Sequence, residues 1–291
     1  MGAATILCEC LKANALSPRV AAQVTAAVWS LANHPSNKAP VLQSGVVDVI
    51  VSAMRASPAS IEVSIACCAA LASIGNAGGG AKAALMRAGA AAAVMEAMTL
   101  HAQSRGVAVH GSTALWTMAI SKANKLVLVE AMAHDTLLAT LRAHEADAAV
   151  VEKAVGALHS LSATPETAQS MMSDDLVACV VNALREHMER PEVAEHACGT
   201  LGNVRRAVPP AGVLTPLSRS WPPTRKTRLC LAAWAFQSWP LPCRGWCVRT
   251  SRQKGDLRAR GAGRTKHKDN AESTAEADRL LDLLWSESVV V

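Results

Sequence analysis

The sequence predicts an all-α protein built as a solenoid of helical repeats, and three observations lead to that prediction. The chain is rich in alanine and other aliphatic residues but has one Phe and no Tyr. The strict alternation of apolar and polar residues that marks β-strands is rare in it. One short phrase also recurs at a fixed spacing through residues 2–206, and periods of about 40 to 47 residues are typical of helical repeat arrays.

Two independent markers share one register over five copies. The first marker recurs in steps of 43, 44, 43 and 43 residues at Val28, Leu71, Leu115, Leu158 and Leu201. The second marker keeps the same steps at Leu11, Met54, Met98, Leu141 and Leu184. Because both markers hold across every copy, the repeat does not depend on a single motif.

Each unit is predicted to contain one short helix followed by two longer ones. In the best-marked unit the short helix covers Lys38–Ser44, and Gly45 stands where the chain must turn sharply, a place that favours a residue tolerant of positive φ. The second helix covers Val46–Ala56 and is stopped by Pro58. The third covers Ile61–Ile74, where apolar residues recur every three or four positions.

The turn residue is less regular in the other units. Gly89 stands at the place of Gly45 one repeat later, whereas Met132 and Asp175 occupy the next two corresponding places. Gly2 holds this place at the start of the chain, with Ala3–Leu11 as a second helix. We therefore expect the chain to begin inside a repeat.

The period, the three-helix unit and the recurring phrases together resemble armadillo repeats, the family that includes β-catenin and importin-α. The resemblance covers residues 2–206, or about four and a half units. It implies a right-handed superhelix whose third helices line a concave groove. In this family the groove binds extended peptides or helices of partner proteins.

One motif is more specific, since Trp29 and Asn33 resemble the Trp-x-x-x-Asn pair of importin-α repeats. That resemblance implies a Trp that stacks on the stem of a Lys or Arg and an Asn that holds a peptide backbone. The i, i+4 spacing puts both side chains on one helix face. The pair is complete only here, because the later units carry Ala72 with Asn76, Trp116 with Ile120, His159 with Ala163, and Gly202 with Arg206.

The function predicted from these features is that of a non-enzymatic scaffold that binds a partner peptide or helix along the groove. The alternative is importin-α-like recognition of basic nuclear-localisation peptides. The candidate groove residues are Thr25, Trp29, Asn33, Asn76, Ser112, Trp116 and His159. Trp116 has interior packing as a competing role, and His110 and His196 are further histidines on or near third helices.

No other motif predicts catalysis, a metal, a cofactor or a small-molecule substrate. The segment from Gly75 to Lys82 resembles a phosphate-binding loop only superficially, because the Lys is one place late and no Ser or Thr follows it. The cysteine pairs Cys8/Cys10 and Cys67/Cys68 lack the second pair and nearby His that a zinc site needs.

Residues 207–291 are expected to form a separate, disordered tail. Residues 1–204 carry a net charge of −3, whereas residues 205–291 carry +9, and the segment 205–268 is rich in Pro, Trp and Arg. Such a composition does not build a packed core. Two interpretations stay open. The tail is either a basic, Trp-bearing arm that binds acidic protein, the groove itself or, weakly, nucleic acid, or a translated intronic or out-of-frame segment. A short amphipathic helix is predicted over residues 271–285.

The expected compartment is the cytoplasm, with the nucleus as a second possibility. The nine cysteines are odd in number and show no disulfide framework, which is typical of a reducing environment. No signal peptide is visible at the N-terminus, and no apolar run reaches the length of a membrane span.

Overall fold

The computed structural model describes residues 2–14, 16–78 and 80–207, which form fourteen α-helices. Residues 208–291, including the helix predicted over 271–285, lie outside the described residues. The short first helices of the units are α3 (Pro35–Gln43), α6 (Ala81–Arg87), α9 (Lys122–Glu130) and α12 (Pro165–Met171). The second helices are α1 (Ala3–Ala13), α4 (Val46–Ala56), α7 (Ala90–Leu100), α10 (Ala133–Ala143) and α13 (Asp174–Glu186). The third helices are α2 (Pro18–Asn33), α5 (Ile61–Gly75), α8 (Arg105–Ala119), α11 (Ala148–Leu161) and α14 (Pro191–Ala207).

Helices of the same kind stack on one another from unit to unit. The third helices pack in the order α2, α5, α8, α11 and α14, and the second helices pack in the order α1, α4, α7, α10 and α13. Both sequence markers lie in the core between these layers, where every one of the ten marker residues is at most 8% exposed. Burial of a Leu, Val or Met side chain contributes about 1.5–3 kcal/mol. The predicted all-α, armadillo-type solenoid is therefore confirmed.

The turn between first and second helices is left-handed in three successive units. Gly45 has φ +72°, Gly89 has φ +73° and Met132 has φ +60°. Met132 adopts this conformation although an L side chain there costs about 1–2 kcal/mol. The turn differs in the next unit, as its less regular marking in the sequence indicated: Asp175 lies inside α13, and Ser173 caps that helix by accepting a hydrogen bond from the N–H of Leu176 at 3.1 Å.

Several helix ends differ from the predicted ones. The short helix α3 begins at Pro35 instead of Lys38, since a proline fits the first helical position, where the missing N–H has no partner to lose. Helix α4 has the predicted bounds, and α5 extends one residue further, to Gly75. Ser60 caps α5 by accepting a hydrogen bond from the N–H of Val63 at 3.3 Å.

A histidine that follows the second helix in three successive units connects these units to the ones before them. Its Nε2 pairs with a backbone carbonyl of the preceding unit at 2.6–2.9 Å. The three pairs are His101 with Pro58, His144 with Ala102, and His187 with Glu145. These histidines were not singled out from the sequence, although their spacing of 43 residues carries the signal.

Among the described helices, no single one is long and apolar enough to cross a membrane. The pair α6 and α7, bent by 68°, meets that criterion only when taken together.

Candidate functional site

The candidate site is the exposed side of the third helices α2, α5, α8, α11 and α14, which we call the third-helix face. Trp29, Trp116 and His159 occupy one repeat position on this face, and each of their side chains is half-buried. Asn33 and Asn76 lie one turn later and are exposed. Five of the seven predicted site residues therefore lie on a common surface.

The other two predicted residues do not reach that surface. Thr25 and Ser112 are fully buried, because their position faces the neighbouring third helix rather than solvent. The Oγ1 of Thr25 accepts a weak hydrogen bond from the Sγ of Cys67 at 4.0 Å. Within the described part of the chain the Oγ of Ser112 has no hydrogen-bond partner. The prediction that they are groove residues is therefore corrected, because both are packed in the interior.

The Trp29 ring extends across its neighbouring helix to the one beyond. It meets the ring of His110 on α8 edge-on, with centroids 5.4 Å apart and an interplanar angle of 71°. Helix α5, which lies between, carries only Ala72 at the corresponding repeat position. The small side chain leaves the space through which the two rings meet. Burial lowers the pKa of His110 and so favours its neutral form.

Trp116 repeats this arrangement two units later and adds a cation. Its ring lies on the backbone of Gly156, where an added Cβ would stand 2.9 Å from Cζ3. It meets the ring of His196 edge-on at 5.0 Å. The Nζ of Lys153 lies 5.6 Å from the ring centroid, within the range of a cation–π interaction. Trp116 thus packs against its neighbours while part of its ring stays accessible.

Lys153 was missed in the sequence although the register contained a signal for it. It stands six places before the Trp position of its unit, where other units carry His110 and His196. Its ammonium group forms an ion pair with Glu152 at 2.6 Å. The face around Trp116 therefore carries paired charges as well as aromatic rings.

His159 lies against the next third helix in the same way as Trp116. An added Cβ on Gly199 would stand 2.4 Å from its Nε2, and its Nδ1 lies 3.2 Å from the Nδ1 of His196. Burial and then the neighbouring His196 ring lower the pKa of His159. The neutral imidazole is the favoured form on this surface.

The two asparagines differ in how their amides are used. The Oδ1 of Asn33 accepts a hydrogen bond from the Oγ of Ser73 on α5 at 2.8 Å. The Nδ2 of Asn76 donates to the carbonyl of Ala72 in its own helix at 3.2 Å. Asn33 is thus fixed across two units, whereas Asn76 caps the end of α5.

The two adjacent cysteines of α5 are held in the thiol form. Burial raises the pKa of the Cys67 thiol to about 12 and that of Cys68 further still, so neither is a thiolate at neutral pH. Among the described residues, no cluster of three or more His, Cys, Asp and Glu side chains could hold a metal ion.

Comparison with known proteins adds information on the fold. No family model matches the chain, and no curated protein does either. Two engineered proteins of known structure are similar with TM-scores of 0.62, at 21% and 19% identity, over 70% and 71% of this chain and 80% and 87% of theirs. A designed armadillo repeat protein in complex with the peptide (KR)4 is similar with a TM-score of 0.61 at 16% identity, over 95% of this chain and 99% of that one. These structures show that the chain has an armadillo-like repeat fold.

Proposed function

We propose that this protein is a non-enzymatic scaffold that binds a segment of a partner protein along its third-helix face. The observation that carries the proposal is the recurrence of partly accessible rings at one repeat position of the third helices, with exposed amides one turn later. Trp29 and Trp116 stand two units apart with part of each ring exposed, and Asn33 presents an amide beside the first ring. Rings bury large areas at little conformational cost, and amides pair with peptide backbone groups.

The spacing of the rings suits an extended segment rather than a small molecule. Stacked helices lie about 8–10 Å apart, so Trp29 and Trp116, two units apart, are separated by roughly 20 Å. An extended peptide covers about 3.3 Å per residue and bridges that distance with about six residues. The designed neighbour that carries a bound peptide is consistent with this use of the fold.

The proposal is tested by capture of partner proteins from a cell extract, with the unchanged protein compared with two matched variants. We expect a variant with Trp29→Ala, Asn33→Ala and Trp116→Ala to lose partners that the unchanged protein captures. A control variant with Leu100→Ala and Met132→Ala removes exposed apolar side chains from outside the third helices, and it should keep these partners. Circular dichroism confirms that both variants stay helical. If the unchanged protein and the triple variant capture the same partners equally well, the proposal is contradicted.

The alternative is recognition of basic peptides, as importin-α-like proteins perform it. The pairing of Trp29 with Asn33 on one exposed face of α2 favours this alternative. It predicts that the peptide (KR)4 binds and that Trp29→Ala with Asn33→Ala removes the binding, measured by fluorescence anisotropy. If a neutral peptide of equal length binds as well as (KR)4, or if the double substitution has no effect, the alternative is wrong. A location in the cytoplasm, or also in the nucleus, is part of the same proposal.

A further inference from the structure

The two tryptophans of the third-helix face differ in the cation that the chain itself offers them. The Nζ of Lys153 on α11 lies 5.6 Å from the centroid of the Trp116 ring, within the range of about 6 Å for a cation–π interaction. At the corresponding repeat position, the helix next to Trp29 carries Ala66, which is buried. The chain thus supplies a cation to Trp116, whereas the equivalent residue beside Trp29 supplies none.

The contacts of Lys153 hold its ammonium group near the ring. Its Nζ pairs with a carboxylate oxygen of Glu152 at 2.6 Å, and the two side chains are only 32% and 23% exposed. The Trp116 ring packs on Gly156, three residues further along the same helix. Residues three apart lie on one helix face, so the ammonium group and the ring meet on the same side of α11.

A partner's Lys or Arg would have to bind Trp116 through the same π-system that Lys153 already uses. We propose that Lys153 is a specificity-determining residue, which keeps the cationic side chains of a partner away from Trp116 and leaves Trp29 open to them. This inference rests on the proposed binding of a partner segment along the third-helix face. Because Glu152 pairs with Lys153, an acidic side chain of the partner gains little there either. The residue that the partner places over Trp116 is therefore uncharged.

The partner segment is thereby defined at two positions. About six residues of extended chain separate the rings of Trp29 and Trp116. A segment that fits both rings has a Lys or Arg over Trp29, beside the exposed amide of Asn33, and an uncharged side chain about six residues away. A uniformly basic segment meets the like charge of Lys153 at the second position, which is unfavourable.

Binding of the peptide (KR)4 to the full chain, labelled with 5-fluorotryptophan, tests the proposal by ¹⁹F NMR. The variants Trp29→Phe and Trp116→Phe assign the two signals among those of the seven Trp residues. In the unchanged protein the peptide should shift the signal of Trp29 and leave that of Trp116 in place. In Lys153→Met it should shift both signals and bind about three-fold more tightly, because the second ring has become available to a cation.

Two further variants separate this effect from a general loss of positive charge. Lys122→Met removes an exposed charge from α9, outside the third-helix face, and should bind the peptide as the unchanged protein does. In the double variant Lys153→Met, Trp116→Leu the tighter binding should be lost with the ring. A shift of the Trp116 signal in the unchanged protein, or tighter binding that persists in the double variant, would overturn the proposal.

Fluorescence quenching by small solutes tests the role of Lys153 without any partner. Caesium ions report access of a cation to the ring, whereas neutral acrylamide reports exposure alone, and the contribution of Trp116 is the difference from Trp116→Phe. Lys153→Met should raise the ratio of caesium quenching to acrylamide quenching at Trp116. If (KR)4 shifts neither signal in any form, binding of basic segments is wrong, and the quenching ratio still decides the role of Lys153. A ratio that Lys153→Met leaves unchanged would overturn that role.

Discussion

At the scale of single residues, the third-helix face depends on how closely rings approach the backbone of the next helix. Trp116 lies on Gly156 and His159 lies on Gly199, in each case with less room than a methyl group requires. Both glycines occupy the same position in their repeats. Glycine in a helix is unfavourable by roughly 1 kcal/mol relative to alanine. The close contact between the ring and the glycine backbone offsets this loss of helix stability.

The substitution Gly156→Ala tests this balance. The new Cβ would stand 2.9–3.0 Å from three atoms of the Trp116 ring, and overpacking of a rigid neighbour costs about 1–3 kcal/mol. We expect a net loss of about 1 kcal/mol after the gain in helix propensity, together with a red shift of Trp116 emission. Urea unfolding followed by circular dichroism measures the loss.

Gly106→Ala is the matched control for this substitution, because the atom nearest its new Cβ is the terminal Cδ1 of Ile65, at 2.5 Å. A side-chain end can rotate away, whereas an indole ring cannot. The loss should therefore be smaller in Gly106→Ala. An equal or greater loss in the control would show that ring contact is not the cause.

We expect three histidines to make the free energy of unfolding depend on pH. Burial lowers the pKa of His110, His134 and His159 below the ordinary value of 6.5. Below pH 6.5 the unfolded chain therefore binds protons that the folded chain does not. The contribution of these neutral rings to the free energy of unfolding should be fully present above pH 6.5 and should decrease as the pH falls below 6.5.

Urea unfolding at about pH 7.5 and about pH 5.5 measures this decrease. We expect the difference between the two pH values to shrink in the double variant His110→Gln, His159→Gln. His34→Gln changes a histidine with an exposed side chain and serves as the control. If the double variant depends on pH as strongly as the unchanged protein, burial of these rings is not the source.

At the scale of the helices, backbone carbonyl groups at the C-termini of the third helices accept hydrogen bonds from lysine side chains of the short first helices. The Nζ of Lys125, which is buried, donates to the carbonyl of Ala119 at 2.8 Å and also to that of Ser160. Lys82 is one repeat earlier and donates to the carbonyl of Gly75 at 3.1 Å. A cation at a helix C-terminus is also favoured by the helix dipole.

The series Lys38→Met, Lys82→Met and Lys125→Met should show graded destabilisation. Lys125→Met removes the donor from two helix-end carbonyls, that of Ala119 in a buried contact and that of Ser160 in a partly buried one, and a buried acceptor left without a partner costs about 1–3 kcal/mol. Lys82 supplies one bond, and the bond of Lys38 to the carbonyl of Asn76 is long, at 3.5 Å, and exposed. The order of loss should therefore be Lys125, then Lys82, then Lys38, measured by urea unfolding of all three variants. Equal losses would show that these bonds do not set the stability.

The sequence predicted the helices well because their apolar periodicity is a local property. It marked Met132 at the place of Gly45 and Gly89 but did not predict the left-handed turn there, since methionine is not a residue that signals a positive φ. It also placed Thr25 and Ser112 in the groove, whereas both are buried. The direction of a polar side chain on a third helix depends on the neighbouring helix, which repeat spacing alone does not define.

At the scale of the whole solenoid, each unit contacts mainly its neighbours, because third helices pack on third helices and second helices on second helices. Stability in such an array is close to a sum of terms for the units and for the interfaces between neighbours. One unit is therefore removable provided that the register is kept. The left-handed turns at Gly89 and Met132 are equivalent points at which the chain can be joined.

Deletion of residues 90–132 joins Gly89 to Ala133 and removes one complete unit of 43 residues. Helix α11 then packs on α5 in the place of α8, with the same repeat positions in contact. We expect unchanged helicity per residue in the described part of the chain and a cooperative but lower melting transition, because one interface is lost. Circular dichroism measures both quantities. Deletion of residues 90–111 removes about half a unit and serves as the control. It joins a first helix to the middle of a third, breaks the register at that junction and should melt at a lower temperature than the deletion of a whole unit. If the two deletions melt alike, the packing does not depend on the register of the repeat.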